Sequence, residues 1–270
     1  MSATPATDEL LFTTDEAGIA RIVLNRPQAR NALTFAMYQG LITCCEAIAG
    51  DPAIKALIIT GAGEKAFAAG TDIAQFRSFS TAEDALGYER FMDKVLGSLE
   101  RLRVPTIAAI AGACTGGGAA IAAACDLRIA TRDARFGFPI ARTLGNCLSQ
   151  GNLKRLSGLI GPARVKDIIF TARLVGAEEA LAIGLVGEVV ADCAALTERV
   201  DTLAQVLANH APLTMQATKE GLRRLAEEEA VAEGAPHPGD DLILMCYMSQ
   251  DFREGMEAFL GKRPPNWTGR

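Results

Sequence analysis

Residues 113–121, with the sequence ACTGGGAAI, constrain the fold more than any other part of the chain. The apolar run TIAAIAG before them has the length of a buried strand, and the small-residue run AAIAAAC after them predicts a helix. A helix that begins on a glycine-rich turn leaves its first N–H groups unpaired and places the positive end of its dipole at the turn. The segment therefore predicts a strand, turn and helix unit that binds an oxyanion or a phosphate group.

Two other interpretations of the three glycines compete with an anion site. The dinucleotide-binding motif G-x-G-x-x-G does not match, because AGACTGGGAA has a different glycine spacing and no acidic residue at the expected strand end. The second alternative is structural, since the glycines would also let the helix pack closely on a strand. A second small-residue loop, AFAAGTDI, also follows a predicted strand and favours the functional interpretation.

Predicted strands and helices alternate over the first part of the chain. Strands are predicted for GIARIVL, AIKALIIT, TIAAIAG, DLRIAT and ARFGF. Helices are predicted for FAMYQGLITCCEAIAG, which Thr34 can cap, and for the amphipathic residues 81–102, whereas GAGEKAFAAGTD is predicted to be a loop. From Asp192 onward the pattern is helical, with the loop GAPHPGDD before the last helix. The alternation predicts an α/β core followed by a helical tail.

Composition and charge narrow the class of protein. With 270 residues, of which 49% are hydrophobic, the chain predicts a packed globular protein. A formal net charge of -5 and the lack of clustered Lys and Arg argue against nucleic-acid binding. Seven cysteines without a C-x-x-C pair indicate neither a metal site nor a disulfide framework, and predict mostly small core side chains. Without a targeting pattern or a long unbroken apolar stretch, we expect no membrane association and a cytoplasmic location.

A series of motifs follows in order along the chain: NRPQARNAL, ALIITGAGEKAFAAGTDI, IAAIAGACTGGGAAIAAACDLRIAT, ARFGFP, EALAIGLVGEVV, APLTMQATK and DFREGMEAFLGKRPPNW. Together they cover almost the whole chain and resemble the crotonase family, also called the enoyl-CoA hydratase/isomerase family. The resemblance implies a crotonase-like α/β spiral of repeated ββα units in residues 1–191, which binds acyl-CoA. It also implies a C-terminal helical region in residues 192–270 that assembles homotrimers or homohexamers.

The resemblance further implies the site residues. The main-chain N–H groups of Thr71 and Gly117 would form an oxyanion hole for the thioester oxygen as negative charge develops on it. Coenzyme A would enter as part of the substrate, with no permanently bound cofactor and no metal. Ala66 and Ala68 are expected to contact adenine and pantetheine, and Arg30 to lie near the CoA phosphates or, alternatively, to be a solvated loop charge. The residues expected at the bound acyl-CoA are Arg30, Ala32, Ala66, Ala68, Gly70, Asp72, Ile73, Gly116, Pro139, Ile140 and Leu144.

The sequence departs from the family at the two positions where its hydratases carry glutamates. The matching residues are Ala120, in GGGAA, and Ile140, in GFPIARTLG. Neither side chain can position water or transfer a proton, so hydration by a pair of glutamates is not expected. Enoyl-CoA isomerases commonly retain the second glutamate, so Ile140 also argues against an isomerase that uses that residue.

Other residues could supply the missing chemistry. Arg142 could bind a substrate carboxylate through paired hydrogen bonds, or it could brace the following helix. Glu89, on the helix that the family places beside the acyl pocket, could replace a lost carboxylate, although a Glu on such a helix more often faces solvent. Cys147 is expected to be a buried, inert thiol. His210 is expected to end a helix, and His237 to lie in a solvent-exposed loop.

The reaction stays open at this level. The leading interpretation is an acyl-CoA thioester enzyme, a lyase or isomerase of the enoyl-CoA hydratase/isomerase type, that stabilises an enolate or oxyanion. Isomerisation, decarboxylation or hydrolysis through other residues is the first alternative, and decarboxylation needs the least acid and base machinery because loss of CO₂ gives the enolate directly. An acyl-CoA-binding subunit without activity is the alternative from another class.

Overall fold

The strands of the computed structural model, which describes residues 8–77, 79–227, 245 and 248–270, form two sheets. They are β1 (Leu10–Thr14), β2 (Ile19–Leu24), β3 (Ala56–Gly61), β4 (Ala66–Ala68), β5 (Thr106–Ile110), β6 (Ala113–Thr115), β7 (Leu127–Thr131), β8 (Arg135–Gly137), β9 (Val175–Gly176) and β10 (Glu188–Val190). The larger sheet has the order β1-β2-β3-β5-β7-β10 and the smaller sheet the order β4-β6-β8-β9. β1 pairs antiparallel with β2, and β9 with β8, while the other neighbours are parallel.

Helices connect and cover the two sheets. Those of the described ranges are α1 (Phe35–Gly50), α2 (Ala82–Glu100), α3 (Gly117–Ala124), α4 (Ile140–Thr143), α5 (Gln150–Ile160), α6 (Pro162–Thr171), α7 (Ala177–Ala182), α8 (Cys193–Ala208), α9 (Pro212–Glu227) and α10 (Gln250–Leu260). The Thr34 hydroxyl accepts the Met37 N–H at the start of α1, as predicted, and Thr81 forms a capping box with Asp84 at the start of α2.

The parallel strands come from a repeated unit. β3 enters the larger sheet, β4 enters the smaller sheet, and α2 follows; β5, β6 and α3 repeat the pattern, and β7 and β8 begin it again. Each unit thus delivers one strand to each sheet and then a helix. This confirms the predicted α/β fold of repeated ββα units.

Both faces of the larger sheet are buried. Successive residues of β3 point to opposite faces, so Leu57 and Ile59 belong to the core cluster that contains α1 and α2. Ile58 belongs to a second cluster, which Val200 and Ala204 of α8 cover. Helix α8 therefore shares a core with strands on the other side of the predicted boundary between residues 191 and 192, and the two-region division stays a prediction.

A charged contact fixes α9 to the core. Lys219 Nζ donates to the Asp126 carboxylate at 2.5 Å and to the Val104 carbonyl oxygen at 2.9 Å. The same carboxylate accepts the N–H and the hydroxyl of Thr106 at 2.8 and 2.9 Å. The Lys219 side chain is only 12% exposed. Asp126 therefore joins β5, the start of β7 and α9.

Some local predictions were incomplete. β1 was not predicted, because only Leu10 of its five residues is buried and the apolar pattern is short. β4 lies inside the segment that was predicted to be a loop. Its three residues are buried, although the glycine- and alanine-rich sequence around them indicates a loop. His210 follows the last turn of α8, as expected, whereas His237 and the loop around it lie outside the described residues. The described helices include none that is long and apolar enough to cross a membrane.

Candidate active site

Thr71 lies where the chain after β4 runs beside the residues that precede α1. The Leu33 N–H donates to the Gly70 carbonyl, and the Asp72 N–H donates to the Leu33 carbonyl, each at 2.8 Å. This parallel bridge uses the main-chain groups on either side of Thr71, so the N–H of Thr71 itself points away from Leu33. Gly70 turns the chain there with a φ of +107°, which favours glycine.

The three glycines make the turn that starts α3. Gly116, with a φ of +52°, precedes Gly117, the first residue of the helix. The Ala120 N–H donates the first hydrogen bond of the helix, to the Gly116 carbonyl at 3.0 Å. The Gly117 N–H precedes this bond and therefore has no partner within the helix. A Cβ on Gly118 would lie 2.4 Å from the Ala68 carbonyl oxygen. Gly118 thus serves the close packing of α3 on β4, while Gly117 presents main chain to the cleft.

A chain of hydroxyl groups joins these two segments. The Thr71 hydroxyl oxygen lies 2.8 Å from the Tyr38 hydroxyl and 3.1 Å from the Tyr88 hydroxyl. Burial raises the pKa of both tyrosines, and that of the fully buried Tyr38 well above its ordinary value, so both stay protonated. A Cβ on Gly117 would lie 2.0 Å from the Tyr38 hydroxyl oxygen. Tyr38 therefore touches the turn on one side and the Thr71 loop on the other.

Both Thr71 and Gly117 line a cleft of about 870 Å³. Its apolar wall contains Ile73, Phe76, Met92, Ala120, Phe138, Pro139, Ile140, Leu144 and Leu148. Its polar side chains are Thr71, Tyr88, Glu89, Thr115, Thr143, Asn146, Cys147 and Asn152. Among the described lining residues, Glu89 is the one carboxylate, and Lys, Arg and His are absent.

Glu89 is half-buried in the cleft wall on α2. Burial raises the pKa of its carboxyl, and the negative charge of Asp93, one turn along the helix, raises it further. The main chain of Ser149, at the start of α5, lowers this pKa and opposes part of the shift. The Glu89 carboxyl group therefore lies in the cleft wall near the start of α5.

Helix α5 is fixed against α2 by further polar contacts. The Ser149 hydroxyl donates to the Asp93 carboxylate at 2.9 Å. Arg155 Nε and Nη2 donate to the two oxygens of Glu100 at 2.6 and 2.8 Å, and the Arg155 side chain is 15% exposed. Bidentate pairs of this kind fix orientation as well as distance. The start of α5, with Ser149 and Asn152, is thereby held beside Glu89.

Six of the residues expected at the acyl-CoA line this cleft: Gly70, Ile73, Gly116, Pro139, Ile140 and Leu144. Asp72 is not in the wall, but it accepts the Ala74 N–H and pairs with Arg26 at 3.0 Å, and these contacts lower its pKa. It braces the loop that carries Thr71.

The other expected acyl-CoA residues lie away from the cleft wall. Ala66 and Ala68 are buried in β4, so any contact they make with a ligand would use their main chain. Arg30 is exposed with a φ of +51°, and Ala32 is half-buried next to it. The binding roles of these four residues stay predictions.

Two expectations for residues 140–152 need revision. Arg142 is exposed on α4 and is not among the lining residues, so the geometry gives no support to a carboxylate bound by Arg142 in the cleft. The expectation of a buried thiol at position 147 is wrong, because Cys147 is exposed and lies in the cleft wall after the short α4 has ended. For Cys44, Cys45, Cys114 and Cys125, burial in the core is confirmed.

Tyr38, Ser149 and Asn152 were not recognised from the sequence as site residues. Tyr38 occupies a buried position of α1, where the pattern indicates core packing only. Ser149 stands three residues before Asn152, a spacing typical of a helix N-cap, and its hydroxyl does accept the Asn152 N–H at 3.2 Å. That capping signal locates the start of α5, but nothing in it indicates a cleft.

Comparison with known proteins decides the family. The family model described as enoyl-CoA hydratase/isomerase matches residues 14–270. The chain belongs to this family. It is 35% identical over 265 residues to the crotonyl-CoA hydratase of Syntrophomonas wolfei, with 97% of this chain and 99% of that protein covered. It is 36% identical to the short-chain-enoyl-CoA hydratase of Clostridium acetobutylicum, with 92% and 93% covered.

Solved structures of this enoyl-CoA hydratase/isomerase family share the fold. An enoyl-CoA hydratase/carnithine racemase from Magnetospirillum magneticum superposes with a TM-score of 0.90 at 34% identity, covering 98% of this chain and 97% of that one. A putative family member from Hyphomonas neptunium has a TM-score of 0.88 at 35% identity, with 97% and 98% covered. The chain therefore has the crotonase fold over nearly its whole length.

Proposed function

We propose that this protein acts on an enoyl-CoA thioester and that the N–H groups of Thr71 and Gly117 form its oxyanion hole. The hydrogen bonds of the two segments do not use either N–H group, and both residues line one cleft. The family supports an acyl-CoA substrate. Two fixed donors lower the barrier because the thioester oxygen carries more negative charge in the transition state than in the substrate.

Glu89 is the proposed proton carrier. Its raised pKa makes it a stronger base than an exposed glutamate, and it is the one carboxylate among the described residues of the cleft wall. With one such group, a shift of the double bond is the reaction best supported. Glu89 would take a proton from C2 of a 3-enoyl thioester and return it to C4, while the intermediate negative charge rests on the thioester oxygen.

Hydration of a 2-enoyl thioester is the second candidate. The names of the two relatives above favour it, since both are hydratases. In this reaction Glu89 would accept a proton from water as the water oxygen attacks C3, and the same proton would then reach C2. Ala120 and Ile140 leave no second carboxylate at the family positions, so we expect slower hydration than double-bond shift.

The test is to assay 3-hexenoyl-CoA isomerisation and crotonyl-CoA hydration with the same preparation. Glu89→Gln is expected to reduce kcat by about 10²- to 10⁴-fold, the usual contribution of a positioned acid or base. Glu83→Gln is the matched control, because Glu83 lies on the same helix and its side chain is 75% exposed. Full activity of Glu89→Gln on either thioester would refute the proton-carrier role.

A pair of variants at Thr71 tests the oxyanion hole. Thr71→Pro removes the N–H and is expected to lower kcat by about 10²- to 10³-fold, while Thr71→Ala keeps the N–H and loses only the hydroxyl contacts. Equal activity of the two variants would refute the donor role. If the protein binds acyl-CoA but converts neither thioester, the non-catalytic binding subunit replaces the enzyme.

The family resemblance also supports homotrimers or homohexamers in the cytoplasm, with coenzyme A entering only as part of the substrate. Light scattering after size-exclusion chromatography tests the assembly. A monomer at micromolar concentration would contradict it.

A further inference from the structure

Asn152 is the most deeply buried polar side chain of the cleft. It is 6% exposed and lines the cleft as the third residue of α5. Its main-chain N–H is capped by the Ser149 hydroxyl, but its side-chain amide forms no hydrogen bond to any described residue. The described side-chain atoms that are shielded from solvent without a partner belong to Arg26 and Arg155, not to Asn152, so the Asn152 amide keeps access to the space of the cleft. The Asn152 amide is therefore available to a group that enters the cleft.

The turn of α5 that carries Asn152 is fixed by the surrounding contacts. The Ser149 hydroxyl bonds to Asp93, and Arg155 bonds to Glu100, so both ends of the first turns of α5 are tied to α2. At Gly151, a Cβ would lie 2.8 Å from the Asp93 carboxylate, so α5 approaches α2 closely. A side chain held in this way needs no large rearrangement to bind a ligand.

The surroundings of the amide select the chemistry of its ligand. Met92, Ile140 and Leu148 supply an apolar wall, which suits the carbon chain of an acyl group. Glu89 lines the same cleft as Asn152, and the described lining residues include no cation to pair with a carboxylate on the substrate. An anionic substituent would therefore be repelled, whereas a neutral oxygen can both accept from the amide NH₂ and, if it is a hydroxyl, donate to the amide oxygen.

We propose that Asn152 forms a subsite for a neutral hydroxyl or keto oxygen on the acyl group, beyond the thioester carbonyl. The preferred substrates of this protein are then oxygenated acyl-CoA thioesters rather than plain alkyl ones. The inference rests on the proposed binding of acyl-CoA in this cleft, but not on proton transfer by Glu89.

Equilibrium binding to saturated thioesters tests the subsite without turnover. The two ligand pairs are butyryl-CoA with 4-hydroxybutyryl-CoA and pentanoyl-CoA with 5-hydroxypentanoyl-CoA, measured by titration calorimetry. We expect the hydroxylated member of at least one pair to bind about tenfold more tightly. Succinyl-CoA, which carries a carboxylate, is expected to bind more weakly than butyryl-CoA.

Asn152→Leu replaces the amide by an apolar side chain of similar size. We expect it to bring the hydroxyl preference below about twofold, to leave butyryl-CoA binding within about twofold, and to change Tm little, because the amide has no hydrogen bond to a described residue to lose. Asn209→Leu, at an exposed cap on α8, is the matched control and should keep the preference. If Asn152→Leu does not fold, Asn152→Ala is measured instead.

Two results would overturn the subsite: no hydroxyl preference in either pair, or a preference that persists in the Asn152 variant. Both are distinguishable from failure of the proposed function. If no acyl-CoA binds, or if binding occurs without turnover of any enoyl-CoA, the proposed function itself fails. If enoyl-CoA is converted and alkyl and hydroxyalkyl thioesters bind equally, only the subsite fails.

Discussion

Gly117→Ala should disrupt the site through one atom. The added Cβ would lie 2.0 Å from the Tyr38 hydroxyl oxygen and 3.1 Å from the Thr71 hydroxyl oxygen. Carbon and oxygen atoms that are not bonded normally stay more than 3 Å apart, so either the turn or Tyr38 must move by roughly 1 Å. Tyr38 is fully buried and cannot swing into solvent. The main chain at the start of α3 is therefore expected to shift.

The expected magnitudes follow from that displacement. Overpacking of a buried site lowers stability by about 1–3 kcal/mol. The higher helix propensity of Ala offsets about 1 kcal/mol of this loss. Misplacing one donor of an oxyanion hole costs about 2.7–4 kcal/mol of transition-state stabilisation, which corresponds to a 10²- to 10³-fold lower kcat. We expect a small loss of Tm and a large loss of activity.

A second substitution separates the steric effect from other causes. Tyr38→Phe deletes the hydroxyl that the Cβ would strike, and the nearest ring atom then lies 3.3 Å from the Cβ. In the Gly117→Ala/Tyr38→Phe double variant we expect at least a tenfold recovery of kcat relative to Gly117→Ala alone. Tyr38→Phe by itself loses one hydrogen bond, worth about 0.5–1.5 kcal/mol.

The assay is turnover of 3-hexenoyl-CoA and crotonyl-CoA, together with thermal unfolding. Gly158→Ala is the matched control, since Gly158 lies inside α5 with no atom within 4 Å of the added Cβ. It should keep full activity. The steric argument would be refuted by a Gly117→Ala variant that keeps more than a third of the parent activity, or by a double variant that recovers nothing.

Four further results are expected. The raised pKa of Glu89 means that its carboxyl group binds a proton more tightly in the folded protein than in the unfolded chain, so the folded protein loses stability as pH rises through that pKa. Glu89→Gln should therefore be more stable than the parent at pH 8 but not near pH 4, as measured by urea unfolding. Lys219→Met should lower the free energy of unfolding by about 1–3 kcal/mol, because Asp126 loses its partner, and an unchanged urea midpoint would contradict this. Acyl-CoA should slow alkylation of Cys147 at least severalfold, as mass spectrometry of that peptide would show. Arg142→Ala should leave kcat/KM within about twofold for every substrate, and a larger loss would restore its binding role.

The main-chain features of the site could be predicted from the sequence, and the side-chain features only in part. The glycines of residues 116–118 and the loop that ends at Thr71 have a short sequence signature, because backbone turns depend on neighbouring residues. The position of Glu89 at the cleft depends on α5 packing on α2, through Arg155 and Glu100, which are 55 residues apart. No local pattern reports such a contact. The prediction that Cys147 is buried was wrong for the same reason, since the exposure of its side chain depends on where α4 ends.

The main-chain and side-chain parts of the proposed site also differ in how strongly packing constrains them. The proposed oxyanion donors are main-chain atoms, and a side chain at Gly117 or Gly118 would strike Tyr38 or Ala68, so packing disfavours a side chain at either position. Proton transfer instead needs only a carboxyl group within reach of the substrate carbons. At the two positions where the family resemblance predicts glutamates, Ala120 and Ile140 supply no carboxyl group. If Glu89 on α2 carries the proton as proposed, the reaction can differ from hydration by two glutamates while the proposed oxyanion donors stay the same.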